Sequence, residues 1–92
     1  MAQRIIWTEA ASTDLEDIAD YIARDSPYYA ASFVREILAH ARSLNRMAMR
    51  GHVVSEIGDK QIRELAIRSY RLIYKVENPE LLCSQLFTAL EI

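Results

Sequence analysis

The stretch Gln61-Ile62-Arg63-Glu64-Leu65-Ala66-Ile67-Arg68-Ser69-Tyr70-Arg71-Leu72-Ile73-Tyr74-Lys75-Val76 decides how this chain folds. Apolar residues alternate with Arg, Lys and Tyr on both sides of Arg68-Ser69, the period-2 pattern of two half-buried strands joined by a tight turn. Leu65 and Ile67 share a face with Arg63. On the second strand Ile73 shares a face with Arg71 and Lys75, while Tyr70, Leu72, Tyr74 and Val76 occupy the other. A hairpin that only builds a core has no need of so many cations. The segment is therefore expected to be both the centre of a sheet and a working surface.

Outward from the hairpin, the chain alternates strands with two helical patterns. Arg4 to Trp7 is a short apolar strand. Thr8 is placed to cap a helix over residues 9–24, with Glu9 in its first turn and Ala11, Leu15, Ile18, Ala19 and Ile22 recurring every three or four residues. Asp25-Ser26-Pro27 ends that helix and opens another, Ser26 as cap and Pro27 as first helical residue. The second helix runs to about Leu44, with Ala30, Phe33, Val34, Ile37, Leu38, Ala41 and Leu44 on its apolar stripe. So short a break makes the two helices an antiparallel hairpin.

A loop from Asn45 to His52 follows, in which Met47 and Met49 are expected to fill gaps under the helix end. Gly51 is expected to take backbone angles unfavourable to other residues. Val53–Ile57 reads as a strand, Gly58–Lys60 and Glu77–Glu80 as turns, and Leu81–Leu90 as the last strand, with Leu82, Leu86 and Leu90 on one face. Strand, two helices and four strands predict an α+β fold: a helical hairpin on one face of a mostly antiparallel sheet, the other face open to a partner.

Ninety-two residues, 51% of them apolar, suit one domain spanning 1–92 with one modest core. No run approaches the ~18 apolar residues of a membrane span, and no secretory signal is expected. The lone Cys83 fits a reducing, cytoplasmic setting. The net charge of −2 conceals an asymmetry. Residues 9–25 carry Glu9, Asp14, Glu16, Asp17, Asp20 and Asp25 against Arg24. Residues 35–75 carry seven Arg and two Lys against Glu36, Glu56, Asp59 and Glu64. Such a chain is not expected to bind nucleic acid sequence-specifically, but its basic half leaves room for an acidic or phosphate-bearing partner.

Chemistry-bearing motifs are sparse. There is no glycine-rich phosphate loop, Cys-x-x-Cys, His-Glu-x-x-His or nucleophile elbow, and His40, His52 and Cys83 have no metal-ligand spacing, so neither metal nor cofactor is expected. What remains is a set of arginines, tyrosines and Glu56. Arg63, Arg68 and Arg71 can hold phosphate charge with Glu56 as general base; equally, Arg63–Glu64 and Arg71–Glu56 can be ordinary cross-strand pairs.

Leu15-x-x-Ile18-Ala19-x-Tyr21-Ile22-Ala23, Pro27-x-x-Ala30-x-x-Phe33, Gly51, Glu56, Ile62-Arg63-Glu64-Leu65 and Tyr70-Arg71-Leu72-Ile73-Tyr74 together resemble, in order and spacing, the ParE/RelE superfamily of bacterial toxins. The ParE branch, known also as plasmid-stabilisation proteins, looks closest. That resemblance implies a toxin of a type II toxin–antitoxin module, neutralised by a cognate antitoxin and acting by inhibition of DNA gyrase. The RelE branch, which cleaves messenger RNA on the ribosome, relies on basic, histidine or tyrosine residues near the end of the last strand. Here that segment is Phe87-Thr88-Ala89-Leu90-Glu91-Ile92, which has none. The ribosome-dependent endonuclease, with Glu56, Arg63 and Arg71 as its weak catalytic candidates, and a non-toxic antitoxin-binding member stand as alternatives. Partner binding is assigned to Arg63, Arg68, Tyr70, Arg71 and Tyr74.

Overall fold

The computed structural model describes residues 2–89. In chain order the elements are β1 (Arg4–Trp7), α1 (Glu9–Ala23), α2 (Pro27–Ser43), a 3-10 turn (Ala48–Arg50), β2 (His52–Val53), β3 (Ile62–Ile67), β4 (Tyr70–Val76) and β5 (Glu80–Thr88). The strands form one sheet in the order β1-β5-β4-β3-β2, so β4 lies at its centre. β1 runs parallel to β5 and every other pairing is antiparallel. This is the expected α+β architecture, strand-helix-helix-strand in order, with the helical hairpin on one sheet face.

Local chemistry sets both helix starts. The Thr8 hydroxyl accepts the Ala11 N–H at 3.1 Å and donates to the Cys83 carbonyl at 3.0 Å, so one side chain caps α1 and ties it to β5. Ser26 accepts the Tyr29 N–H at 3.1 Å, and Pro27 needs no partner for a missing donor. Ala11 of α1 and Phe33, Ile37, Ala41 and Leu44 of the second helical segment meet Leu65, Ile67, Leu72, Tyr74, Val76, Leu81, Cys83 and Leu86 of the sheet in one buried cluster. Leu15, Ile18, Ile22 and Val34 flank it, half-buried. Leu38, placed on the apolar stripe by its spacing, is instead 37% exposed. It falls beyond the edge of the sheet-facing arc, whose centre is Ile37 and Ala41.

Three further expectations change. The strand over Val53–Ile57 shrinks to His52–Val53. Val54 still donates to the Ile62 carbonyl at 3.2 Å, but the chain then turns and Ile57 donates back to Val54 at 3.1 Å. No helix lies over this corner, so Ile57, 54% exposed, gains nothing from strand geometry.

The last strand carries a bulge: Tyr74 pairs with Cys83 but Ile73 pairs with Gln85, leaving Ser84 as the extra residue. The Ser84 hydroxyl donates to the Ile73 carbonyl at 3.1 Å and fills the interrupted ladder. One extra residue reverses the alternation. Leu81, Cys83 and Leu86 therefore face the core, and Leu82 does not share a face with Leu86; Leu90 lies outside the described residues. Met47 and Met49, expected under the helix end, are 54% and 51% exposed.

Because Thr8 serves a helix end and a strand edge together, Thr8→Ala is expected to cost about 1–2 kcal/mol in urea unfolding monitored by circular dichroism.

Candidate functional site

The alternation of β3 and β4 sorts the hairpin's side chains as the sequence implies. Ile67 faces Tyr70, Leu65 faces Leu72 and Arg63 faces Tyr74, all toward the helices. Glu64, Ala66, Arg71, Ile73 and Lys75 point to the open face, beside Leu82, Gln85 and Phe87 of β5. Ile73 is only 8% exposed even there.

The five residues assigned to partner binding separate into two groups. Tyr74 is fully buried. Its hydroxyl donates to the Ala48 carbonyl at 2.7 Å and accepts the Gly51 N–H at 2.9 Å. Arg63 lies beside it, its Nη1 donating to the carbonyls of Gly51 at 2.9 Å and Met49 at 3.3 Å. Tyr74 and Arg63 thus hold the loop after α2 against the sheet. Burial pushes the Tyr74 phenol above its ordinary value, while the Gly51 hydrogen bond and the charges of Arg63 and Arg50 act in the opposite direction.

Gly51 fits here for space rather than backbone freedom. Its φ of −75° and ψ of 165° suit any residue. A Cβ, however, would stand 2.6 Å from the Glu64 carbonyl oxygen and 2.7 Å from the Tyr74 hydroxyl. No spacing rule in the sequence signals this contact, since it depends on a strand twenty-three residues away.

Arg68, Tyr70 and Arg71 form the second group, on the turn and at the start of β4. Arg68 takes a φ of 54°, the left-handed region a tight hairpin turn demands. Its Nε pairs with Glu36 of α2 at 2.6 Å. Glu36 also lies 3.9 Å from His40, which Arg50 approaches at 3.3 Å. His40 sits at the helix flank, as its place beside the stripe implies. Tyr70 is half-buried with its ring 4.9 Å from that of Phe33. Arg71 is exposed and pairs with Glu64 at 3.5 Å rather than with Glu56.

Glu56 stands in the exposed turn after β2. Its hydrogen bond with the Ser55 hydroxyl, then its own backbone N–H, and more weakly the Arg71 charge, hold its carboxyl below the usual carboxylate value. Arg63, Arg71 and Glu56 are thus engaged with three different neighbours. Among the described residues, no three His, Cys, Asp or Glu side chains cluster as a metal site requires.

The fold has a solved counterpart. The chain is similar to a structure described as the chromosomal ParDE TA system from P. aeruginosa, with a TM-score of 0.77 and 21% identity over 95% of this chain and 96% of that one. No curated protein matches it in sequence. The arrangement is that of a small α+β fold, two helices on one face of a mostly antiparallel sheet. A family profile, the ParE toxin of the type II toxin–antitoxin system parDE, matches residues 5–83, and the chain belongs to that family.

Two outcomes test this description of the loop clamp. Tyr74→Phe, which leaves a buried donor and acceptor without partners, is expected to cost about 1–3 kcal/mol in urea unfolding, and Gly51→Ala a similar amount by overpacking. Stability is also expected to fall at alkaline pH. Burial raises the Cys83 thiol from 9.0 to about 12, so between those values the unfolded chain releases a proton that the folded chain keeps. Tyr74, also raised, adds to the same loss. Thermal unfolding measured from pH 8 to 11 checks the direction.

Proposed function

We propose that this type II toxin acts by inhibiting DNA gyrase in the cytoplasm and is held inactive by a cognate antitoxin. The observation that carries the reading is the match of the ParE toxin family over residues 5–83, supported by the same fold in a ParDE system. An inhibitor that works by binding is also supported by the engagement of Arg63 with loop carbonyls, Arg71 with Glu64 and Glu56 with Ser55. A general base is most effective with its pKa near the working pH, whereas the Glu56 carboxyl is shifted the other way.

The basic side of the molecule is the proposed partner surface. Arg68 and Arg71 are exposed, and Arg42, Arg46 and Arg50 are exposed on and after α2. Met47 and Met49 stand among these cations on the loop fixed by Tyr74 and Arg63. Flexible thioethers flanked by positive charge suit an acidic, partly apolar segment that folds as it binds. In this reading Arg63 and Tyr74 serve the surface by holding its backbone, and Arg68, Tyr70 and Arg71 by contact.

Purified protein at micromolar concentration is expected to block DNA supercoiling by gyrase, and unimpaired supercoiling would reject the gyrase reading. Arg71→Glu combined with Arg46→Glu is expected to weaken antitoxin binding at least about tenfold and to flatten its dependence on salt, measured by calorimetry at two ionic strengths.

A further inference from the structure

Beside the hairpin turn, a groove of about 590 Å³ runs between α1 and the end of β5. It is lined by Asp14, Asp17, Ile18 and Tyr21 from the helix and by Tyr70, Leu86, Phe87 and Thr88 from the strands. We propose that this groove is a docking site for an extended protein segment that presents a lysine or arginine side chain to Asp17 and Tyr21.

The strand geometry creates the groove. β5 has nine residues, but β1 covers only Glu80 to Cys83, so among the described residues the remainder of that edge has no neighbouring strand. The Leu86 N–H points away from β4, and the Asp14 carboxylate accepts it at 2.9 Å. In an antiparallel ladder a residue's N–H and C=O point to the same side, so the Leu86 carbonyl also faces away from β4. A carboxylate from the helix therefore stands where the next strand would continue and takes that edge's donor, leaving the outward Leu86 carbonyl to accept from an occupant.

The lining specifies the charge of the occupant. Beside the hydroxyls of Tyr21, Tyr70 and Thr88, the groove holds two carboxylates and an outward carbonyl, acceptors that favour a ligand bringing donors. Among the described residues Asp17 has no cation paired with it. The acidic run over residues 9–25 adds a field of the same sign. Tyr21 is 68% exposed, and the guanidinium of Arg24 already sits 5.8 Å from its ring centre. This exposed ring thus already lies against one cation in the fold, as an aromatic face suits a positive charge. Ile18 and the Tyr70 ring offer apolar wall to the stem of a long basic side chain.

This site has the opposite charge to the surface proposed for the antitoxin and does not depend on the gyrase reading. A randomised twelve-residue peptide display library, panned against the purified protein, is the test. Enriched peptides are expected to carry Lys or Arg and to lose affinity about tenfold against Asp17→Asn and against Tyr21→Ala, both exposed positions whose unfolding curves should match the parent. Their binding should shift the amide resonances of Leu86 and Phe87. Failure to enrich any peptide, enrichment without a cation, or equal binding to parent and both variants would overturn the proposal. Shifts confined to the Met47–Arg50 loop would overturn it too, because the ligand would then sit on the basic side.

Discussion

A single buried hydroxyl organises the middle of this protein. Tyr74 stands on the central strand with no exposed surface, and its oxygen both donates to Ala48 and accepts from Gly51. Burying a phenol without those bonds would cost several kcal/mol, so the loop after α2 has to come to the ring. Once there, the loop carries β2 into register with β3 and places the Gly51 and Met49 carbonyls under Arg63. The helical hairpin, the loop and the sheet edge are thus referred to one atom of β4.

How much of this is legible in the sequence follows from the range of the forces involved. Thr8, Ser26 and Pro27 act on N–H groups within three residues, so both helices could be placed closely. The alternation in Leu65, Ile67, Leu72, Tyr74 and Val76 is likewise local and sorts the two faces, but it does not say which is buried, and Tyr74, expected at a partner surface, lies in the core. The bulge at Ser84 is different: it exists only relative to Ile73, and a spacing rule applied to Leu82 and Leu86 alone necessarily put them together. Gly51 looked like a backbone device because glycine usually is one, whereas its reason is the close approach of Tyr74 and Glu64. Met47, Met49 and Leu38 have the hydropathy of core residues, which reports what a side chain prefers, but the loop and helix geometry denies them cover.

The hairpin cations show the same division. Their excess over what a core requires was visible, but their individual duties were not. Arg63 holds carbonyls, Arg68 reaches Glu36 on α2, and Arg71 pairs with Glu64 across the strand. Glu36 and Asp14 drew no notice as functional residues, since a lone acid on a helix has no signature until a strand or turn is brought beside it. The two helices end up with opposite charge, α1 acidic and the α2 side basic, side by side on one face of the sheet.

The order of the strands has a bearing on when such a toxin comes into being. β5 lies between β1 and β4, so the first strand made has no hydrogen-bonded neighbour until the last strand has been made. Thr8 caps α1 while bonded to Cys83, which extends the same dependence to the first helix. With its seam closed by contacts more than seventy residues apart, the β1 side of the sheet is completed late, since distant contacts form slowly. A nascent chain stalled before β5 has its helices and hairpin but no template on which to align β1. The cell therefore meets the folded toxin only after β5 has been made, which gives a partner made earlier time to be waiting for it.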